Sequence, residues 1–177
     1  LNQDCEDLLQ GPMLYDWLKS DMATQMKPVW RDNMFGIWDA DERGKDPDAE
    51  PYEIPMHGLG LFACKTDSWL GFHPLFKGFG GEEGYIHEKY RLAGRKTWCL
   101  PFLRWLHKFR DSAPTPYLLD IRERIANYYV GHIDNGLDTN EITEHFKETS
   151  PHVKVEKIRD DVKSLMEQHK EAPEITE

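Results

Sequence analysis

Residues 78–83 read Gly-Phe-Gly-Gly-Glu-Glu, and an amphipathic segment follows them as far as Gly94. Apolar residues recur three and four positions apart in that segment, which predicts an α-helix with Gly94 just beyond its C-terminus. Glu82 and Glu83 then stand at the helix N-terminus, directly behind a flexible glycine loop. Carboxylates in this setting can act as bases, accept hydrogen bonds from a sugar or help to bind a cation.

The two carboxylates also have a purely structural explanation. Acidic residues stabilise the first turn of a helix through its dipole, and glutamate is common at protein surfaces. The glycines that precede them favour the functional interpretation, since they let a ligand approach the backbone closely. Glu82 and Glu83 are therefore candidates for a catalytic role, and Gly80 and Gly81 for contact with a substrate.

His107 lies in a second candidate segment. Apolar and polar positions alternate from Leu103 to Phe109, which predicts a strand with Trp105, His107 and Phe109 on one face. A histidine on such a face is either a core residue or a metal ligand, and the residue pattern alone favours the core.

Asp39-Ala40-Asp41 is another pattern that can hold a cation, because carboxylates spaced in this way can bridge a metal ion to phosphates. It opens a charged loop at 39–55, where such strings also arise by chance, and the pattern alone favours a solvated loop. Gly58 and Gly60 lack the third glycine and the following helix of a dinucleotide-binding fingerprint, so they predict close packing instead.

The remaining sequence predicts a mixture of strands and helices, and hence an α/β fold with a helical tail. Hydrophobic spacing and turn residues define the elements. The predicted elements are a helical segment at 13–18, extended chain at 29–30 and 34–38, a buried strand at 58–64, a strand at 96–100, a proline hinge at 114–116, and helices from 118, from a cap at Asp138 and from 150, the last with Leu165 facing inward.

Composition narrows the function. The chain has 177 residues and 39% hydrophobic residues, which suggests one domain with a real core. A net charge of −10 disfavours general binding to nucleic acid or anionic membranes. Three cysteines, far apart, predict neither a zinc site nor a disulfide framework, so a cytoplasmic setting fits best. No apolar run in the sequence is long enough to span a membrane.

Four motifs, in their order, resemble the C-terminal half of GT-A-fold glycosyltransferases of the family 2 type. They are Gly-Leu-Phe-Ala at 60–63, Trp-x-Gly-Phe at 69–72, Phe-x-Gly-Phe-Gly-Gly-Glu-Glu at 76–83 and Arg-x-Ala-Gly at 91–94. The sequence is most similar to the polypeptide N-acetylgalactosaminyltransferases, where Gly-Gly-Glu is followed, a helix and a strand later, by Gly-His-Val-Phe-Arg. Here residues 106–110, Leu-His-Lys-Phe-Arg, occupy that place, and the resemblance covers residues 8–110.

The resemblance implies a partial GT-A sheet with packed helices at residues 1–115 and a helical extension at 116–177. It implies transfer of a sugar from a nucleotide-sugar donor to a glycan, protein or small-molecule acceptor, with Glu82 or Glu83 beside the acceptor hydroxyl as base or orienting partner. It also implies that His107 is a ligand of Mn²⁺ or Mg²⁺. The acceptor is then expected to lie against Trp30, Gly80, Gly81 and Trp105.

Two departures from the family pattern limit the expectation. Leu106 stands where the family has glycine, and the nucleotide-binding half of the family has no counterpart before Leu1. We therefore expect an incomplete enzyme that obtains its missing half from a longer protein or from another copy of the chain. The alternative is a non-catalytic glycan-binding module derived from a glycosyltransferase. The residues leave the donor sugar, the acceptor, the nucleotide-binding residues and the stereochemistry open.

Overall fold

A computed structural model describes residues 5–16, 21–109 and 119–171 of the chain. These residues have a mixed α/β architecture of short strands and α-helices. The strands are β1 (Leu8–Gln10), β2 (Met13–Tyr15), β3 (Met22–Ala23), β4 (Gln25–Arg31), β5 (Met34–Asp39), β6 (Tyr52–Glu53), β7 (Thr97–Cys99) and β8 (Trp105–His107). The helices are α1 (Glu82–Leu92), α2 (Ile121–Asp134), α3 (Asn140–Thr149) and α4 (Val155–Glu171).

Two small mixed sheets hold the N-terminal segment to strands far along the chain. The first has the order β1-β7-β6, with Leu8 paired to Thr97 in parallel, and the second has the order β3-β2-β8, with Met13 paired to Trp105 in parallel. The predicted helical spacing from residue 13 is therefore wrong for Met13–Tyr15, because partners in β8 supply the backbone hydrogen bonds of an extended chain.

Strands β4 and β5 form an antiparallel hairpin, which confirms the extended prediction there. The register shifts between Lys27 and Trp30, on either side of Pro28. Proline lacks the N–H that a ladder needs, so a bulge at this point is expected. Trp30 and Phe35 of the hairpin pack against the C-terminal helices.

Helix α1 has the bounds that the sequence predicts. Gly81 precedes it with φ 95°, and Gly94 follows it with φ 73°, the left-handed conformation of a residue just past a helix end. Its inward face, with Tyr85, Ile86 and Tyr90, forms a core cluster with Leu8 of β1. This packing fixes the helix against the first sheet.

Helices α2, α3 and α4 surround their own core cluster, which includes Ile125, Tyr129 and Phe146. The predicted inward position of Leu165 is wrong, because Leu165 is 50% exposed and Met166 takes the buried place. Thr139, one residue after the predicted Asp138, occupies the N-cap position of α3, but its side chain makes no capping hydrogen bond. The Asp138 carboxylate accepts a hydrogen bond from the backbone N–H of Asn140. The predicted hinge at 114–116 lies outside the described residues.

The segment 58–64 is not the predicted buried strand. Only an isolated bridge joins Ala63 to Leu9. Tryptophan rings explain the two glycines, since a Cβ at Gly58 would lie 2.4 Å from the Trp38 ring and one at Gly60 would lie 2.5 Å from the Trp105 ring. This turn is thus a close-packed loop. Among the described residues, no helix is long and apolar enough to cross a membrane.

Candidate functional site

The loop before α1 requires its glycines. Gly78, Gly80 and Gly81 have φ angles of 62°, 102° and 95°, a region that residues with a side chain rarely adopt. Helix α2 also approaches the loop closely: a Cβ at Gly80 would lie 2.8 Å from Cγ of Arg124, and one at Gly81 would lie 3.3 Å from Cβ of Asn127. Glycine therefore serves both the backbone conformation and the contact with α2.

Asn127 of α2 holds the same loop by hydrogen bonds. Its amide nitrogen donates to the carbonyl oxygens of Lys77, at 2.7 Å, and Gly80, at 2.9 Å. Its amide oxygen accepts from the backbone N–H of Lys77 at 2.9 Å. Asn127 is 2% exposed, so water does not compete for these bonds. These bonds hold the loop backbone in one conformation directly before the N-terminus of α1.

Glu82 and Glu83 are half-buried at the start of α1, and burial disfavours their charged forms. Burial, followed by the neighbouring charge of Glu82, raises the pKa of Glu83 to about 7. Burial also raises the pKa of Glu82, although hydrogen bonds from the backbone of Glu82 and Gly80 and the charge of Arg124 oppose the rise. Carboxyl groups whose pKa values are raised towards neutral pH are suited to proton transfer.

An open cavity of about 580 Å³ lies beside Glu82. Its apolar wall includes Phe62, Phe72 and Phe76, and Lys77 and Glu82 are among its polar residues. Phe72 is 41% exposed, which leaves an aromatic ring available to a ligand. Aromatic rings beside a carboxylate suit a sugar, because its C–H faces pack on rings while its hydroxyl groups donate to the carboxylate.

A second cavity, of about 560 Å³, lies on another side of α1. Its charged side chains are already paired: Lys96 lies 2.8 Å from Glu53, Arg91 pairs with Glu88, and Arg95 pairs with Glu6 outside the cavity. The cavity beside Glu82 is therefore the stronger candidate, because it joins an exposed aromatic ring to a carboxylate of raised pKa.

His107 lies at the end of β8, between aromatic rings. Its ring centre is 4.0 Å from that of Phe109 and 5.7 Å from that of Trp105. Its Nδ1 atom is buried and has no hydrogen-bond partner among the described residues. Within that part of the chain, no group of three or more His, Cys, Asp or Glu could hold a metal ion. The described residues therefore offer a single donor and do not form a complete metal site.

The structure brings some of the predicted residues together and separates others. Gly80 and Gly81 lie at the carboxylate pair. Trp105 packs on Gly60 and donates through Nε1 to the carbonyl oxygen of Gly11 at 3.0 Å. The adjacent Leu59 lines the cavity of Glu82, so the turn at 58–60 links the His107 segment to the carboxylate segment.

Trp30 takes part in the packing of the hairpin on the helical tail. Its ring lies 4.7 Å from that of Tyr128 and 4.2 Å from that of His145, and its Nε1 donates to Glu141 at 3.0 Å. Burial raises the pKa of Tyr128, and the nearby negative charge of Glu83 raises it further. Trp30 is thus separated from the carboxylate pair by one aromatic ring.

Asp39 and Asp41 are both satisfied within their loop. Asp39 pairs with Lys27 at 3.0 Å, and Asp41 caps the short helical turn at 42–45 while it pairs with Arg43 at 2.7 Å. The Arg43 guanidinium lowers the pKa of Asp41 to about 2. These contacts favour a structural role for the Asp-x-Asp pattern.

Three residues of α2 at the site are not among the sequence candidates: Arg124, Asn127 and Tyr128. One signal was present, because asparagine is a poor helix former and Asn127 stands among the apolar residues of a predicted helix. An asparagine retained there indicates a buried hydrogen-bonding role. Arg124 gives no such signal, since arginine is ordinary on a helix surface.

No protein-family model matches this sequence, and a search of curated proteins found no significant match.

Proposed function

We propose that this chain is the acceptor-side part of a glycosyltransferase that uses a nucleotide-sugar donor, with Glu82 as the base. One observation carries the proposal: Glu82 lines the open aromatic cavity, and burial raises its pKa. A base must reach the proton it removes, and its pKa must lie near the working pH. The motif resemblance around the glycine loop supplies the reaction class.

In the proposed reaction an acceptor sugar lies on the aromatic wall with a hydroxyl group at Glu82. Glu82 takes the hydroxyl proton as the acceptor oxygen bonds to the anomeric carbon of the donor. The bond from that carbon to the diphosphate breaks, and the diphosphate leaves with the electron pair. Glu83, whose pKa is about 7, takes up a proton as the pH falls through neutrality, which removes a negative charge from beside Glu82.

The resemblance also implies Mn²⁺ or Mg²⁺ at His107, where a cation would neutralise the leaving diphosphate. The described residues do not complete such a site, and the proposed proton transfer needs only Glu82. The donor site is proposed to come from a longer protein or from a second copy.

The test is a turnover assay of the full-length protein with a panel of nucleotide sugars and glycan acceptors, with release of the nucleoside diphosphate as the readout. Glu82→Gln should lower turnover by a factor of about 10² to 10⁴ and leave the donor KM unchanged. Glu167→Gln, on the exposed side of α4, is the matched control and should be fully active. Near-normal turnover of Glu82→Gln, or no turnover of the wild type with any donor, would contradict the proposal.

The exposed ring of Phe72 favours one alternative, a non-catalytic module that binds glycans. Such a module would bind glycan equally well with and without a nucleoside diphosphate, whereas the transferase should bind acceptor more tightly in the donor complex. Calorimetric titration of glycans with and without UDP distinguishes the two. Phe72→Ala should weaken glycan binding in both cases.

A further inference from the structure

Helix α2 belongs to the C-terminal tail, yet it lies against the loop that carries the carboxylate pair. The contacts come from three residues on one side of the helix, at positions 124, 127 and 128. Arg124 lies against Gly80, Asn127 against Gly81, and Tyr128 accepts a hydrogen bond from the backbone N–H of Phe35 at 2.8 Å. The tail therefore reaches both the loop and the hairpin.

Asn127 uses its side-chain amide entirely on the loop. Two carbonyl oxygens accept from its nitrogen and one backbone N–H donates to its oxygen, all within 2.9 Å. Because these atoms are occupied and buried, the residue is fitted to hold the loop and not to bind a ligand. Movement of the loop would break three bonds at once.

Arg124 places a positive charge near the carboxyl group of Glu82. Its guanidinium lies 5.6 Å from the ring centre of Phe79, and its Nε is buried without a hydrogen-bond partner among the described residues. Its charge lowers the pKa of Glu82 against the effect of burial.

The other charged or titratable groups near this loop lie on helix α2 and on the segment that leads into α1. Glu123 of α2 approaches Gly78, Tyr128 of α2 faces the pair, and Lys77 and His73 line the cavity. Arg124 supplies the positive charge that lowers the pKa of Glu82, and Glu83 is the carboxyl that interacts with Glu82 directly.

We infer that α2 positions the carboxylate pair: Asn127 fixes the loop so that Glu82 faces the cavity, and Arg124, which lies against Gly80, places its positive charge beside Glu82. Both are positioning residues, because neither transfers the proton itself. The inference rests on the proposed function for its catalytic meaning. The position and charge it describes are properties of the free protein, and these can be measured without any substrate.

The first experiment is a carbon-detected NMR titration of the chain labelled with ¹³C-glutamate, in which Glu82→Gln and Glu83→Gln assign the two carboxyl signals. Arg124→Gln should raise the pKa of Glu82, and Arg124→Lys should restore it because the charge returns. Arg122→Gln, an exposed arginine on the same helix, is the control. A Glu82 pKa that responds no more to Arg124→Gln than to Arg122→Gln would overturn the electrostatic role.

The second experiment compares Asn127→Ala with Asn135→Ala. Asn135 also bonds from α2 to α1, donating to the carbonyl oxygen of Tyr85 at 3.2 Å, but it does not touch the loop. Asn127→Ala should speed amide exchange at Lys77 and lower the pKa of Glu83 towards its ordinary value, because the opened loop admits water. Asn135→Ala should do neither. If Asn127→Ala folds, as judged by its helical circular dichroism, and leaves the Glu83 pKa unchanged, the positioning role is wrong.

The Arg124 series still decides the inference if Asn127→Ala does not fold. A protein that passes both NMR tests but transfers no sugar would retain the inference and refute the proposed function. A protein that transfers sugar, but in which the pKa of Glu82 does not depend on Arg124, would support the proposed function and refute the inference.

Discussion

Glu83→Gln should stabilise the folded protein at alkaline pH. The pKa of Glu83 is about 7, against an ordinary value of 4.5. The folded state therefore holds the proton more tightly than the unfolded state does. Its contribution to stability is fully present below about pH 4.5 and is lost as the pH rises through about 7.

The size of the effect follows from that difference. One pKa unit corresponds to about 1.4 kcal/mol, so the ionised Glu83 costs the fold about 3 kcal/mol once the pH exceeds about 7. Glutamine is close in shape and carries no charge. Relative to wild type, the free energy of unfolding of Glu83→Gln should therefore be higher by about 3 kcal/mol near pH 8 and by less than about 1 kcal/mol near pH 5.

Urea unfolding at these two pH values measures the difference, with Glu167→Gln as the surface control. A Glu83→Gln advantage that is equal at both pH values would refute the reasoning, since a carboxyl that titrates normally gives no such dependence. A stabilised variant with reduced transfer would show that this site sacrifices stability for proton chemistry.

Three further predictions concern other parts of the fold. His87 is buried, and burial lowers its pKa to about 4, so acid favours the unfolded state from about pH 6.5 downward. Between about pH 8 and about pH 5, the free energy of unfolding of His87→Gln, measured in urea, should therefore fall by about 2 kcal/mol less than that of the wild type. An equal fall in the two proteins would show that the His87 ring is in contact with water. Gly81→Ala, at φ 95° and crowded by α2, should cost about 2–3 kcal/mol in the same assay and more than Gly71→Ala, at φ 67° in open space; equal costs would show that the α2 contact is unimportant. His107→Ala should raise the Mn²⁺ concentration needed for activity of the full-length enzyme with little change in Tm, whereas a drop of several degrees with unchanged Mn²⁺ need would assign His107 to the core.

The local elements were the most predictable from sequence. Helix α1 has its start and end marked by Gly81 and Gly94, and its period is carried by its own residues. The β4–β5 hairpin is likewise a local pairing. In both cases the physical cause of the structure lies within a few residues of the structure itself.

The sequence predictions are wrong where contacts with residues far along the chain determine the local structure. Met13–Tyr15 is a strand because β8 pairs with it, and the turn at 58–60 is irregular because rings from Trp38 and Trp105 lie on its glycines. The carboxylate pair could be found from sequence, but its control by Asn127 could not. That contact joins helix α2 to the loop before α1 through a side chain, and no periodicity in the sequence indicates it.

The parallel pairing of β1 with β7 has a consequence during synthesis. Leu8 cannot pair with its partner until Thr97, 89 positions later in the chain, has been synthesised. At about 5–20 residues per second, that delay is on the order of ten seconds on the ribosome. Throughout it the first strand has an unpaired backbone edge and an apolar side chain that is 0% exposed in the finished fold. We therefore expect the segment around Leu8 to need protection from aggregation until Thr97 has emerged.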